Sequence, residues 1–120
     1  MTQANILAQN AKKRRIARVR ARISGTAERP RISTRRTLRH ISAQLIDDTI
    51  GKTIASAWDR DIKKTKDMKP VDVAREVGKT LASRAVALGV KKAVFDRRDK
   101  KYHGRIQALA DGAREGGLEL

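Results

Sequence analysis

The sequence predicts an α/β fold in the order βββαβα, with two packed helices, preceded by a basic N-terminal helical arm. Three observations carry that expectation: short runs of strand-like residues between positions 31 and 58, two later stretches with apolar residues at helical spacing, and a first third that is almost purely cationic.

Between Asn5 and Arg22 there is neither Pro nor Gly, Ala is frequent, and Ile16, Val19 and Ile23 recur at i, i+3 and i+7. That pattern predicts a helix with a narrow apolar stripe. Arg14, Arg18 and Arg22 stack four residues apart, and like charges at that spacing repel, so the helix is expected to fray until phosphates neutralise it. The turn chemistry of SGTAERP, Ser24 to Pro30, ends the arm. Three short strands follow, at Arg31–Arg36, Ile41–Asp47 and Thr53–Trp58; in the second, Ile41, Ala43 and Leu45 share one face and Ser42 and Gln44 the other. The linker from Asp48 to Lys52 has hairpin length and contains Gly51, which favours an antiparallel meander. Trp58, at a strand end, is assigned to the core, and the polar, aperiodic stretch Asp59 to Lys69 to a surface loop. Pro70 stands where a helix begins, and Val73, Val77, Leu81, Ala85 and Leu88 continue that helix to Gly89. As a crossover, it can deliver a fourth strand, Lys91 to Asp96, parallel to an earlier one. Ile106, Leu109, Ala110 and Ala113 mark the last helix, which Gly116 and Gly117 end. The expected division is an RNA-binding arm over residues 1–27 and a globular domain over residues 28–120.

At 120 residues the chain is one domain, and Lys+Arg number 29 against 13 Asp+Glu, a net charge of +16. Residues 1–40 hold twelve of those cations and one acid, Glu28. A compact state so charged repels itself, and a polyanionic partner relieves that repulsion. With apolar residues at 39% and three aromatics, Trp58, Phe95 and Tyr102, the core is thin. The absence of Cys excludes disulfides, thiol nucleophiles and Cys-based zinc sites. The longest apolar stretch, Ala85 to Val90, is far below the roughly 20 residues of a membrane span. Neither a membrane, a small-molecule substrate, a cofactor nor a metal is expected. Residues 1–27 hold seven cations and no acid, which also describes an organelle transit peptide, but the bunched KKRR suits a nucleic-acid arm better.

Two constellations carry the chemistry. The arm offers Lys12, Lys13, Arg14, Arg15, Arg18, Arg20 and Arg22, extended by Arg29, Arg31, Arg35, Arg36 and Arg39. Guanidinium forks and ammonium groups bind phosphate oxygens and release counterions, giving affinity without reading sequence. The second, FDRRDKKYHGR, supplies Arg97, Arg98, Lys100, Lys101 and Arg105, with Tyr102 and His103 available to stack on or hydrogen-bond to exposed bases. Against this, Tyr102 can pack at the core edge and His103 can cap the following helix. His40 either joins Arg35 and Arg39 on the RNA-facing edge or bonds locally. Asp47, Asp48 and Asp96 fall at strand ends, where a metal-dependent nuclease would place carboxylates, but the strand RISTRR offers no acid and no nucleophile is marked near Asp96 and His103. The acids are expected to pair with neighbouring cations or close turns. The residues therefore point to a noncatalytic RNA-binding protein, with a general architectural nucleic-acid binder as the alternative and a nuclease as a weaker one.

Several stretches in order, ISGTAERPRIS from Ile23, RHISAQLIDD from Arg39, GKTIASA from Gly51, VGKTLASRA from Val77, VKKAVFDR from Val90 and YHGRIQALADGAREGGLEL from Tyr102, are more specific than any basic run. Over about residues 12–120 the chain resembles the bacterial large-subunit ribosomal protein L18 family, which binds 5S rRNA. The resemblance implies a mixed four-stranded sheet, a flexible basic extension and a cytoplasmic place in the large ribosomal subunit. It implies 5S rRNA, 23S rRNA and neighbouring 5S-binding ribosomal proteins as partners in the central protuberance. By position, the family's RNA contacts fall on the arm, on Arg31 to His40 and on Asp96 to Arg105. The chain departs from the family in three places. An aromatic usually stands where this chain has Thr34-Arg35, another near Ser42, and a glycine-rich, aromatic-containing loop where Arg98 to Lys101 lie.

Overall fold

The computed structural model describes residues 2–21, 23–64, 67–98 and 101–120. Its first element, α1 (Gln3–Arg20), begins earlier than the apolar pattern requires because Thr2 caps it, the hydroxyl oxygen accepting the Asn5 N–H at 3.2 Å. Ile16, Val19 and Ile23 are half-buried as their spacing predicts, but no residue of α1 is fully buried. The arm is held at its end, where Arg20 Nη1 donates to the Ile23 carbonyl at 3.0 Å and to Asp48 Oδ2 at 3.4 Å. Two residues expected to touch RNA, Arg22 and Lys100, lie outside the described residues.

Strands β1 (Arg31–Arg36) and β2 (Ile41–Asp47) start and end where alternation places them, and β3 (Lys52–Trp58) starts one residue early. The crossover helix α2 (Pro70–Ala87) leads to β4 (Val94–Asp96), which is shorter than predicted because Lys92 makes only an isolated bridge, to Glu119. The last helix is α3 (Arg105–Glu115). The sheet order is β3-β2-β1-β4, with β1 antiparallel to β2, β2 antiparallel to β3, and β4 parallel to β1. It is the mixed four-stranded sheet that the element order and the resemblance both imply.

Along β2, Ile41, Ala43 and Leu45 are buried beneath α2, while Ser42 and Gln44 lie on the opposite, open face. Ile32, Leu45, Leu81 and Leu109 form the middle of the core at 0% exposure. With so few large side chains, tight packing comes from small ones. Gly78 on α2 and Gly112 on α3 bring the two helices together so closely that a Cβ on Gly112 would stand 2.0 Å from the Arg75 carbonyl oxygen.

Trp58 is not in the core: β3 pairs Ala57 with Ala43 and Trp58 with Ser42, so alternation turns the indole onto the open face, 43% exposed. The segment after it is not wholly a surface loop, because Asp59–Asp61 forms a 3₁₀ turn that buries the Asp59 side chain.

Candidate nucleic-acid interface

Arg31 heads β1 on the face opposite Ile32, and three of its donors meet carboxylates. Nε donates to Asp48 Oδ2 at 3.0 Å, Nη2 to Asp48 Oδ1 at 3.1 Å, and Nη1 to Asp96 Oδ2 at 2.9 Å. Each carboxylate then fixes a cationic segment. Asp48 Oδ2 accepts the Gly25 N–H at 2.7 Å while the Asp48 N–H donates to the Gly25 carbonyl at 3.1 Å, so the chain leaving the arm is clamped to the sheet. A Cβ at Gly25 would lie 2.5 Å from the Arg31 nitrogen, which is why only glycine fits there. On the other side, Asp96 Oδ1 accepts the Arg98 N–H at 2.8 Å, and Arg98 adopts φ 57° as the last loop departs. Arg31 is 9% exposed, and its guanidinium, bridging two acids, sets the positions of neighbouring residues that face outward.

The same contacts account for the acids weighed as nuclease ligands. Asp48 and Asp96 are joined through Arg31, and Asp47 Oδ1 accepts both the N–H and the hydroxyl of Thr49, closing the turn after β2. Among the described residues no three His, Asp or Glu side chains are grouped to hold a metal ion.

The Arg31 hydrogen bond holds Asp48 well below its ordinary 3.8, at about 2, against an opposing push from burial and with help from the Gly25 N–H and the charge of Arg20. A folded-state value below the unfolded one stabilises the protein above pH 3.8, and that stability is lost as pH falls from there toward 2. Asp48 is therefore expected to contribute about 2 kcal/mol at neutral pH. Urea midpoints measured from pH 6 down to pH 2 should drop over this acid window. In the Asp48→Asn variant the midpoint should be lower at neutral pH and the acid drop smaller.

The outward residues come together from three parts of the chain. Lys12, Lys13, Arg14, Arg15, Arg18, Arg29, Arg35, Arg36, Arg39, His40, Arg97, Lys101, Tyr102 and His103 are exposed, and Arg20, Arg98 and Arg105 are half-buried. Arg18 of the arm and Arg97 of the last loop line one hollow of about 300 Å³ with Val19 and Ile23. Arg98 and Arg35 line a second, of about 120 Å³, over Ser33, Ser42 and Gln44 on the open sheet face. Arg39 and Arg105 meet across a third, which also touches Asp59 and Lys64. Cations of the arm and the final loop thus share one hollow and those of the sheet and the final loop another, and guanidinium groups held this way can bracket a phosphate backbone.

The aromatic and imidazole groups have mixed roles. Tyr102 meets Phe95 edge-on, with centroids 5.9 Å apart, and its hydroxyl oxygen accepts from Arg114 Nη1 at 2.8 Å, yet the residue stays 42% exposed. It packs at the core edge and remains accessible. His103 does not cap α3 with its side chain; Gly104 occupies the N-cap with φ 59° and no side-chain hydrogen bond. The His40 ring reaches across the fold, Nδ1 lying 2.8 Å from Asp59 Oδ2, and keeps its outer half in solvent. Burial pushes Asp59 up, but the His40 bond and nearby Lys64 outweigh it, so that carboxyl sits below its ordinary value.

Sequence reasoning missed the open sheet face itself, where Trp58 and Arg60 stand beside Ser42 and Arg35. The signal was the parity of β3: once Ala57 is placed inside, Trp58 must point out.

The sequence profile of the family described as ribosomal L18 of archaea, bacteria, mitochondria and chloroplast matches residues 7–120. The chain is similar to large ribosomal subunit protein uL18 of Acidobacterium capsulatum, 51% identical over 118 residues that cover 98% of this chain and 96% of the relative. Proteins of the same name from Lactobacillus delbrueckii subsp. bulgaricus and Thermotoga neapolitana are 53% identical over 107 residues and 50% identical over 110, each covering 89% of this chain and 90% of the relative.

Proposed function

From the premise that the chain belongs to the ribosomal L18 family, we infer that it binds 5S rRNA and holds it against 23S rRNA in the central protuberance, beside neighbouring 5S-binding ribosomal proteins. It is a structural, nonenzymatic component of the large ribosomal subunit. The observation that best supports the finer reading is Arg31, whose two carboxylate partners bring the arm and the final loop onto one side of the sheet. A polyanion lying there is met by cations from both ends of the chain. Affinity then comes from phosphate neutralisation, and selectivity from the fixed spacing of arm, sheet face and loop.

Competition binding separates this reading from a general architectural role. Labelled 5S rRNA should resist displacement by an equal mass of duplex DNA, whereas an architectural binder would exchange one for the other. With about six to ten phosphate contacts, affinity should fall by roughly 10³- to 10⁵-fold between about 50 and 200 mM salt. A nearly flat salt titration, or equal displacement by DNA, would contradict the reading.

A further inference from the structure

We propose that Trp58 is a stacking platform for one unpaired nucleobase of the bound RNA, a proposal that rests on the RNA-binding reading above. The cross-strand register aligns Arg35, Ser42 and Trp58 in a row across β1, β2 and β3 on the open face. Because Ser42 is small, the indole borders a hollow of about 210 Å³ shared with Arg35, Thr37 and His40. A second hollow on the other flank of the row is floored by Ser33, Ser42 and Gln44 and bounded by Arg98. Arg60 places its guanidinium 5.5 Å from the ring centroid, a cation–π contact, and the residue still remains 43% exposed.

The strand end beneath the ring is held in place. The backbone N–H of Trp58 donates to Asp61 Oδ2 at 3.0 Å, and Arg84 from α2 donates both to that Asp61 oxygen at 3.0 Å and to the Ser56 carbonyl at 2.7 Å. Those bonds fix the strand end that carries the indole.

The surroundings select the occupant. An apolar protein partner would need apolar neighbours around the indole, and the row supplies Ser, Thr, Gln, His and Arg. A nucleotide matches each part: the base lies against the indole, its edge meets the hydroxyls and the Gln44 amide, and its phosphate meets Arg35 or Arg98. A base paired inside a helix exposes no such face, so the occupant is unpaired. Stacking of this kind tolerates any base, so the platform adds affinity without dictating sequence.

Trp58 is the chain's single tryptophan, which makes its emission a direct readout. Titration of the full chain with 5S rRNA should quench that emission in step with a binding curve measured separately by filter retention. Trp58→Ala should weaken binding by roughly 5- to 150-fold and Trp58→Phe by much less, with an unchanged salt slope because no phosphate contact is lost. Trp58→Leu keeps apolar bulk without a π face; it should bind as weakly as the Ala variant, and it decides the matter if the Ala variant fails to fold. Full affinity in the Leu or Ala variant overturns the platform, quenched or not, while 5S binding itself stands. An unquenched complex does the same and leaves this face to a protein neighbour. If the wild-type chain fails to bind 5S rRNA at all, the reading beneath the proposal falls, and the platform with it.

Discussion

Deletion of residues 1–22 is expected to weaken 5S rRNA binding by at least about 10³-fold at moderate salt, with the rest of the chain still folded. The deleted segment holds seven of the chain's 29 cations and no acid. If all seven meet phosphates, the log–log salt slope becomes shallower by roughly five to six. The fold should survive because α1 buries no residue in the core, and its ion pair to the sheet is the single contact of Arg20 with Asp48 among the described residues. The Gly25 clamp on Asp48 lies beyond the deletion and stays intact. Filter retention across a salt series, with far-UV circular dichroism as the folding control, checks both halves. Unchanged affinity would show that the sheet face and final loop bind without the arm.

The element order was legible because each element announces itself locally. Alternation in ISAQLID marks β2 to the residue, and Pro70 with a helical stripe ending before Gly89 marks α2. The arm's charge was legible for the same reason. What stayed hidden depends on pairing between distant residues. Arg31 reads as one more cation in a basic run until β1 is laid beside β4 and the turn after β2, bringing together acids 17 and 65 positions away. Trp58 ends KTIASAW, a strand with apolar residues on both faces, so its direction is undecided until Ala57 is paired with Ala43. Asp59 hides in a charged stretch for a similar reason, its carboxylate bonding to His40, which lies 19 residues earlier. Sequence thus displays the positive charge, and the tertiary pairing decides which cations are left exposed.

The helix pair offers a case in which local propensity and tertiary packing predict opposite signs. Glycine inside an exposed helix costs roughly 1 kcal/mol relative to alanine, so Gly112→Ala should be stabilising if α3 were judged alone. In the folded protein the added methyl would meet the Arg75 carbonyl oxygen at 2.0 Å and its carbon at 2.8 Å, both backbone atoms of α2. Neither can rotate aside, so α2 and α3 must move apart, and the facing Gly78, whose own Cβ would stand 2.1 Å from the Leu109 oxygen, shows that the whole seam is built at this spacing. Overpacking of this kind costs about 3 kcal/mol or more, well above the propensity gain. For a chain of this size that is a Tm drop on the order of 10 °C, a large share of a thin core's margin. Calorimetry on Gly112→Ala beside Gln107→Ala, an exposed position on the same helix, measures the difference. The exposed substitution should leave Tm nearly unchanged. A Gly112→Ala protein that melts higher than the parent would mean that the helices do not meet backbone to backbone, and that the core draws its strength from elsewhere.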